Sequence, residues 1–142
     1  YHADLEKSCG GKPGENPEID AQYRRRSPLT WLTQAGNVPL DINAGIHDGH
    51  QGSVPISHSL NAFNLLARKK DQISDLHIAH FTSQSSVPEA LIRPVNYDDT
   101  YGEKRQPLWR VESNHARVTI FNGGHEMIPE AIFAWLGRQV KP

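Results

Sequence analysis

The sequence predicts an α/β protein in which parallel strands alternate with helices. Residues 38–44 alternate apolar and polar side chains, as a half-buried strand does. Residues 116–121 form a second run dominated by residues that suit a pleated surface. A loop and then a helix-periodic segment follow each run, and strands separated by helices pair in parallel through crossover connections.

Taken in order, residues 1–18 are short of apolar side chains, and Gly10-Gly11-Lys12-Pro13-Gly14 signals a loop. A short helix is expected over 19–26, ending on the basic run Arg24-Arg25-Arg26. Ser27 then reads as an N-cap with Pro28 at the first helical position, for a helix over 29–35 that stops at Gly36. In the strand 38–44, Val38, Leu40, Ile42 and Ala44 share one face, and Pro39, Asp41 and Asn43 the other. A parallel strand buried on both faces is usually apolar throughout, so this one carries a polar face. After the glycine-rich loop 45–53, Pro55 opens a helix to about Lys70 with Leu60, Phe63, Leu66 and Ala67 on one stripe. Residues 71–115 are expected to be an irregular insert, broken by Pro88, Pro94 and Pro107, with a short helix over 87–92 and an exposed loop over 97–106. The strand 116–121 and a helix opened by Pro129 complete the chain, with Ile128, Ile132, Phe133, Leu136 and Val140 on one apolar face. Two strands cannot cover two helix layers or protect both sheet edges, so the chain reads as part of a larger sheet.

A chain of 142 residues has the size of one domain. Its net charge of -1 gives no electrostatic reason to expect nucleic acid or an anionic membrane surface as a partner. No apolar run reaches the length of a membrane span and no signal-peptide pattern is present, and nothing indicates a compartment. The single cysteine, Cys9, excludes an internal disulfide. Tyr1 in place of Met suggests an N-terminus made by processing or truncation.

The chemistry concentrates in two loops. Phe121-Asn122-Gly123-Gly124-His125-Glu126 puts a histidine at the C-terminal end of a strand, where open α/β sheets place their reactive groups. The glycines there are expected to turn the backbone and leave room for the ring. Gly45-Ile46-His47-Asp48-Gly49-His50-Gln51-Gly52-Ser53 follows the other strand, so both loops open on one rim. Asp48 is suited to hold the His125 imidazole through Nδ1, leaving Nε2 as general base toward a nucleophile. The plainer alternative makes Asp48 an Asx-turn and His125 a turn residue. His47, His50 and Glu126 are candidates to support these groups or to touch substrate. A zinc site assembled from His47, Asp48, His50, His58, His77 or His80 lacks the helical spacing of an HExxH motif, so neither metal nor cofactor is expected. The three arginines at 24–26 read as a solvated helix face, with an anion-holding role as the alternative. Trp31, Trp109 and Trp135 read as core or interface, and Trp109, in the insert, as a candidate for exposure.

With these residues in place a resemblance becomes specific. Tyr23-Arg24-Arg25-Arg26-Ser27-Pro28, then Gly45-Ile46-His47-Asp48 with Val54-Pro55 opening a helix, then Gly123-Gly124-His125, resemble the C-terminal half of an α/β-hydrolase. The likeness is greatest to the prolyl-oligopeptidase-like serine hydrolases. It implies that Asp48 is the acid and His125 the base of a Ser-His-Asp triad, acting on peptide or ester bonds through an acyl-enzyme. It covers most of the chain outside 71–110, and the residues 49–53 lengthen the spacing between Asp48 and Val54-Pro55.

The nucleophile of that family sits on a G-x-S-x-G elbow, and no such motif occurs in these residues. Cys9 is a poor substitute, because Lys7 stands where the elbow needs its first glycine and no strand precedes it. The resemblance therefore implies that the serine and the oxyanion hole lie upstream of Tyr1, in the N-terminal half of the same fold, and that this chain alone is inactive. The competing expectation is a non-catalytic binding module or an inactive hydrolase relative.

Overall fold

The computed structural model describes residues 2–52 and 54–139. The chain is mixed α/β and divides into two compact units, Tyr1–Gly36 and Asn37–Pro142.

The first unit is helical, with α1 at His2–Cys9, α2 at Pro17–Arg26 and α3 at Pro28–Trp31, the last running into a 3-10 turn at Leu32–Gln34. α1 is a helix with no counterpart among the expected elements, and the loop expected at residues 10–14 lies between α1 and α2. Its charges suit the helix dipole, with Asp4 in the first turn and Lys7 in the last, but its only buried residue is Cys9, so it shows little apolar periodicity. Asn16 caps α2 by accepting from the Ile19 amide at 2.9 Å, and Arg24, Arg25 and Arg26 occupy the last turn, where cations are favoured. Ser27 makes no side-chain cap. Its amide instead donates to the carbonyls of Tyr23 and Arg24, closing α2.

The second unit is built on a three-stranded sheet in the order β1-β3-β2, where β1 is Leu40–Gly45, β2 is Pro107–Ser113 and β3 is Ala116–Phe121. β1 and β3 pair in parallel with Leu40 opposite Ala116 and Gly45 opposite Phe121. The expected parallel pair is therefore present, and its central member is the strand that leads to His125. β2 corrects the reading of 71–115 as irregular. It forms an antiparallel hairpin with β3, turning at Asn114, whose φ of 52° is a conformation asparagine tolerates. Pro107 opens β2 at the sheet edge, where its missing N–H costs least, and a register irregularity follows between Pro107 and Trp109.

Strand alternation gives the sheet two unlike faces. Ile42 and Ala44 of β1, Trp109 and Val111 of β2, and Ala116, Val118 and Ile120 of β3 face the main core. α4 at Ser57–Leu66 and α5 at Asp75–Gln84 cover it. α4 buries Leu60 and Phe63 completely and packs Leu66 and Ala67 in the same core, as the stripe predicts. Full burial of one such side chain is worth about 1.5–3 kcal/mol. α5 is a second element inside the supposed insert. Ser74 caps it, and it buries Ile78 and Phe81, with Phe81 packed on Trp109 at a ring separation of 5.6 Å. The expected helix over 87–92 is only a 3-10 turn, at Glu89–Leu91.

The opposite face is polar and satisfied. Asp41 and Arg117, directly opposite in register, form a two-pronged ion pair at 2.6 and 2.9 Å. Asn43 donates to Asp41 at 3.0 Å, and the Tyr101 hydroxyl donates to Asn43. Arg110 donates to Thr119 and Asp98 and lies over the Tyr101 ring. Tyr101 is buried with Phe121, Ile128 and Ala131 in a small second cluster, so the region 97–106 is not simply an exposed loop. α6, Pro129–Leu136, supplies Ala131 to that cluster. Phe133 and Leu136 are exposed, against the single apolar face expected, because this helix buries only the side that meets Tyr101 and Phe121. Val140 lies outside the described residues.

Candidate functional site

The parallel pairing of β1 and β3 delivers two loops to one end of the sheet. Beyond Gly45, the Ile46 amide donates to Phe121 O at 2.9 Å and the His47 amide to Gly123 O at 3.0 Å, so the ladder continues into the loops. This close approach requires glycine at position 45. A Cβ there would overlap the carbonyl oxygens of Gly123 and Gly124. Gly49, with φ of +84°, turns the Asp loop back, and the Ile56 amide closes it onto Asp48 O at 3.3 Å. Ser53 lies outside the described residues.

Asp48 and His125 meet across this junction. His125 Nδ1 lies 3.5 Å from Asp48 Oδ1, with the aspartate side chain 8% exposed and the histidine 63% exposed. Among the described residues Asp48 Oδ1 has no closed hydrogen bond. The contact is an ion-pair distance at the long edge of hydrogen bonding. Burial pushes the Asp48 carboxyl above its ordinary value. The His125 charge, the Gly45 backbone and the His125 side chain pull it back, while Glu126 adds to the rise. The carboxylate thus sits where a cation on His125 would relieve it. That is the arrangement that fixes an imidazole tautomer and stabilises an imidazolium.

The backbone bends through residues 122–125 as expected, although neither Gly123 nor Gly124 has a positive φ. Gly123 is there for space, because a Cβ would lie 2.5 Å from Phe121 Cε2 and 2.8 Å from Glu126 Oε1. Glu126 supports the loop without touching Asp48. Its Oε1 accepts weakly from the Gly124 amide at 3.4 Å, and its Oε2 pairs with Arg105 Nε at 2.5 Å. His47 is half-buried and contributes its backbone. His50 is exposed, with Nε2 3.4 Å from Phe81 O. Neither ring bonds to Asp48 or His125.

Among the described residues no three His, Cys, Asp or Glu side chains gather as a metal site, and no hydroxyl or thiol hydrogen-bonds the His125 ring. No described helix is long and apolar enough to cross a membrane. Arg105, whose contact with Glu126 spans 21 residues of sequence, is the site residue that sequence reasoning missed. The chain has no match among protein-family models, curated proteins or solved structures.

Proposed function

We propose that this chain supplies the acid and the base of a serine hydrolase with an α/β-hydrolase fold, the nucleophilic serine coming from residues outside it. One observation carries the reading: a buried carboxylate oxygen of Asp48, with no closed hydrogen bond among the described residues, faces His125 Nδ1 at the C-terminal ends of adjacent parallel strands. The exposed side of the His125 ring then remains available to the serine. In the reaction the serine Oγ attacks the carbonyl carbon while His125 Nε2 takes its proton. That proton passes to the leaving amine or alkoxide, and water repeats the sequence to release the acid. Peptide and ester substrates share this machinery. Among the described residues strand β1 pairs on one side only, which supports an N-terminal half of the fold docking along its other edge.

The test uses the polypeptide or complex that contains both this chain and the serine segment. A fluorophosphonate probe should label the serine segment and leave residues 1–142 unlabelled, and His125→Ala should lower hydrolysis by about a thousand-fold or more. Hydrolysis by the variant at near wild-type rate would sink the assignment. The exposed ring with no hydroxyl or thiol on it favours a second reading, a non-catalytic binding module. Under that reading no protein in the complex takes the probe.

A further inference from the structure

We propose that Arg105 is a positioning residue for His125, acting through Glu126; the inference rests on the catalytic reading of His125 given above. The segment 98–106 is made rigid from within. Tyr101 anchors it in the cluster with Phe121 and Ile128. The Gln106 side chain accepts from the Asp98 amide at 2.9 Å and donates to the carbonyls of Asp98 at 3.0 Å and Gly102 at 2.7 Å. The edge of this segment, residues 104–106, then grips the His loop at both ends. Before His125, the Asn122 amide donates to Gln106 O at 3.0 Å and its side chain to Lys104 O at 3.1 Å. After it, Arg105 Nε donates to Glu126 Oε2 at 2.5 Å while Glu126 Oε1 accepts from the Gly124 amide.

Glu126 therefore bridges a rigid wall and the residue immediately before His125. Among the described residues Arg105 is the cation paired with the Glu126 carboxylate, and the Gly124 contact at 3.4 Å is too long to hold it alone. The Arg105 and Glu126 side chains are 50% and 35% exposed, so the pair adds little to global stability and weakens in salt. Its effect falls on the orientation of the one ring between its contacts. Arg105 also borders a cleft of about 390 Å³ with Tyr101, Met127 and Glu130. Direct contact with substrate in that cleft is the competing role, and it would appear in KM.

Arg105→Ala, Arg105→Lys and Glu126→Gln are compared in the full chain by NMR and in the serine-containing enzyme by kinetics. The expected result is that Arg105→Ala shifts the Gly124 amide and the His125 imidazole resonances while the melting temperature stays at the wild-type value. Turnover should fall about two- to five-fold with KM unchanged, and Arg105→Lys should restore much of it. Wild-type His125 resonances in Arg105→Ala would overturn the proposal, as would a rise in KM at constant kcat. Failure of the hydrolase reading shows separately, as a wild-type complex that takes no fluorophosphonate. The NMR comparison decides the brace in that case as well.

Discussion

Replacing Arg117 with methionine tests what holds the two site-bearing strands together. The guanidinium is 11% exposed and its partner Asp41 only 5%, and the pair sits directly across the parallel β1–β3 ladder. Burial alone would lower the Arg117 pKa, but the hydrogen bond and charge of Asp41 outweigh it and raise the value, so the side chain stays charged. Methionine keeps much of the stem and removes both charge-assisted bonds. Asp41 is left buried with the single bond from Asn43. Stranding one member of a buried ion pair costs about 3–5 kcal/mol, several times the worth of an exposed pair. In a unit of this size that is a fall of about 10 °C or more in melting temperature. Urea titration followed by circular dichroism measures it. The double variant Asp41→Leu/Arg117→Met removes both charges and should return to within about 1 kcal/mol of wild type. A single-variant cost below about 1 kcal/mol, or a double variant whose cost is the sum of the two singles, would refute the reasoning.

Gly45→Ala places a Cβ against two carbonyl oxygens and should destabilise by about 1–3 kcal/mol while separating the two loops. Gly124→Ala, where a Cβ meets nothing within 4 Å, should change stability by less than about 0.5 kcal/mol. Equal denaturant midpoints for the two variants would contradict this geometry. For Asp48 the folded chain holds the carboxyl proton more tightly than the unfolded chain, whose value is the ordinary 3.8. The stability it contributes is present in full below that pH and is lost as pH rises through the raised folded value. Asp48→Asn should therefore unfold later than wild type at pH 7 and show no such advantage near pH 3. Denaturant curves at both pH values check the sign, and a less stable variant at pH 7 would reverse it.

The parts of the fold legible in the sequence are those with a strong period. Strands 38–44 and 116–121 match β1 and β3 to within two residues, and the stripe Leu60, Phe63, Leu66 and Ala67 is the buried side of α4. The missed elements carry mixed signals. β2 alternates Trp109, Val111 and Ser113 with Arg110 and Glu112, but it opens on a proline and an exposed Leu108. α5 has its cap at Ser74 and buried positions at Ile78 and Phe81, yet Leu76 points to solvent and blurs the stripe. In the site, Asp48 and His125 are legible because each follows a recognisable strand into a glycine-rich loop. Arg105 is not. Its role comes from a turn packed back onto the His loop, which no local pattern encodes.

The two aspartates carried by β1 and its following loop make the strongest physical case for chemistry. Asp41 and Asp48 are comparably buried, at 5% and 8% side-chain exposure. Asp41 receives two bonds from Arg117 and one from Asn43. Asp48 Oδ1 receives none that closes among the described residues, and the group facing it, at 3.5 Å, is the exposed His125 imidazole. A buried oxygen left without a partner costs about 1–3 kcal/mol, a large share of a small unit's stability. The polar face of the sheet shows that this sequence satisfies buried carboxylates where only folding is at stake. An oxygen left without a closed bond among the described residues, facing an imidazole on the rim where two parallel strands end, is the departure to expect where a carboxylate acts on that ring during a reaction.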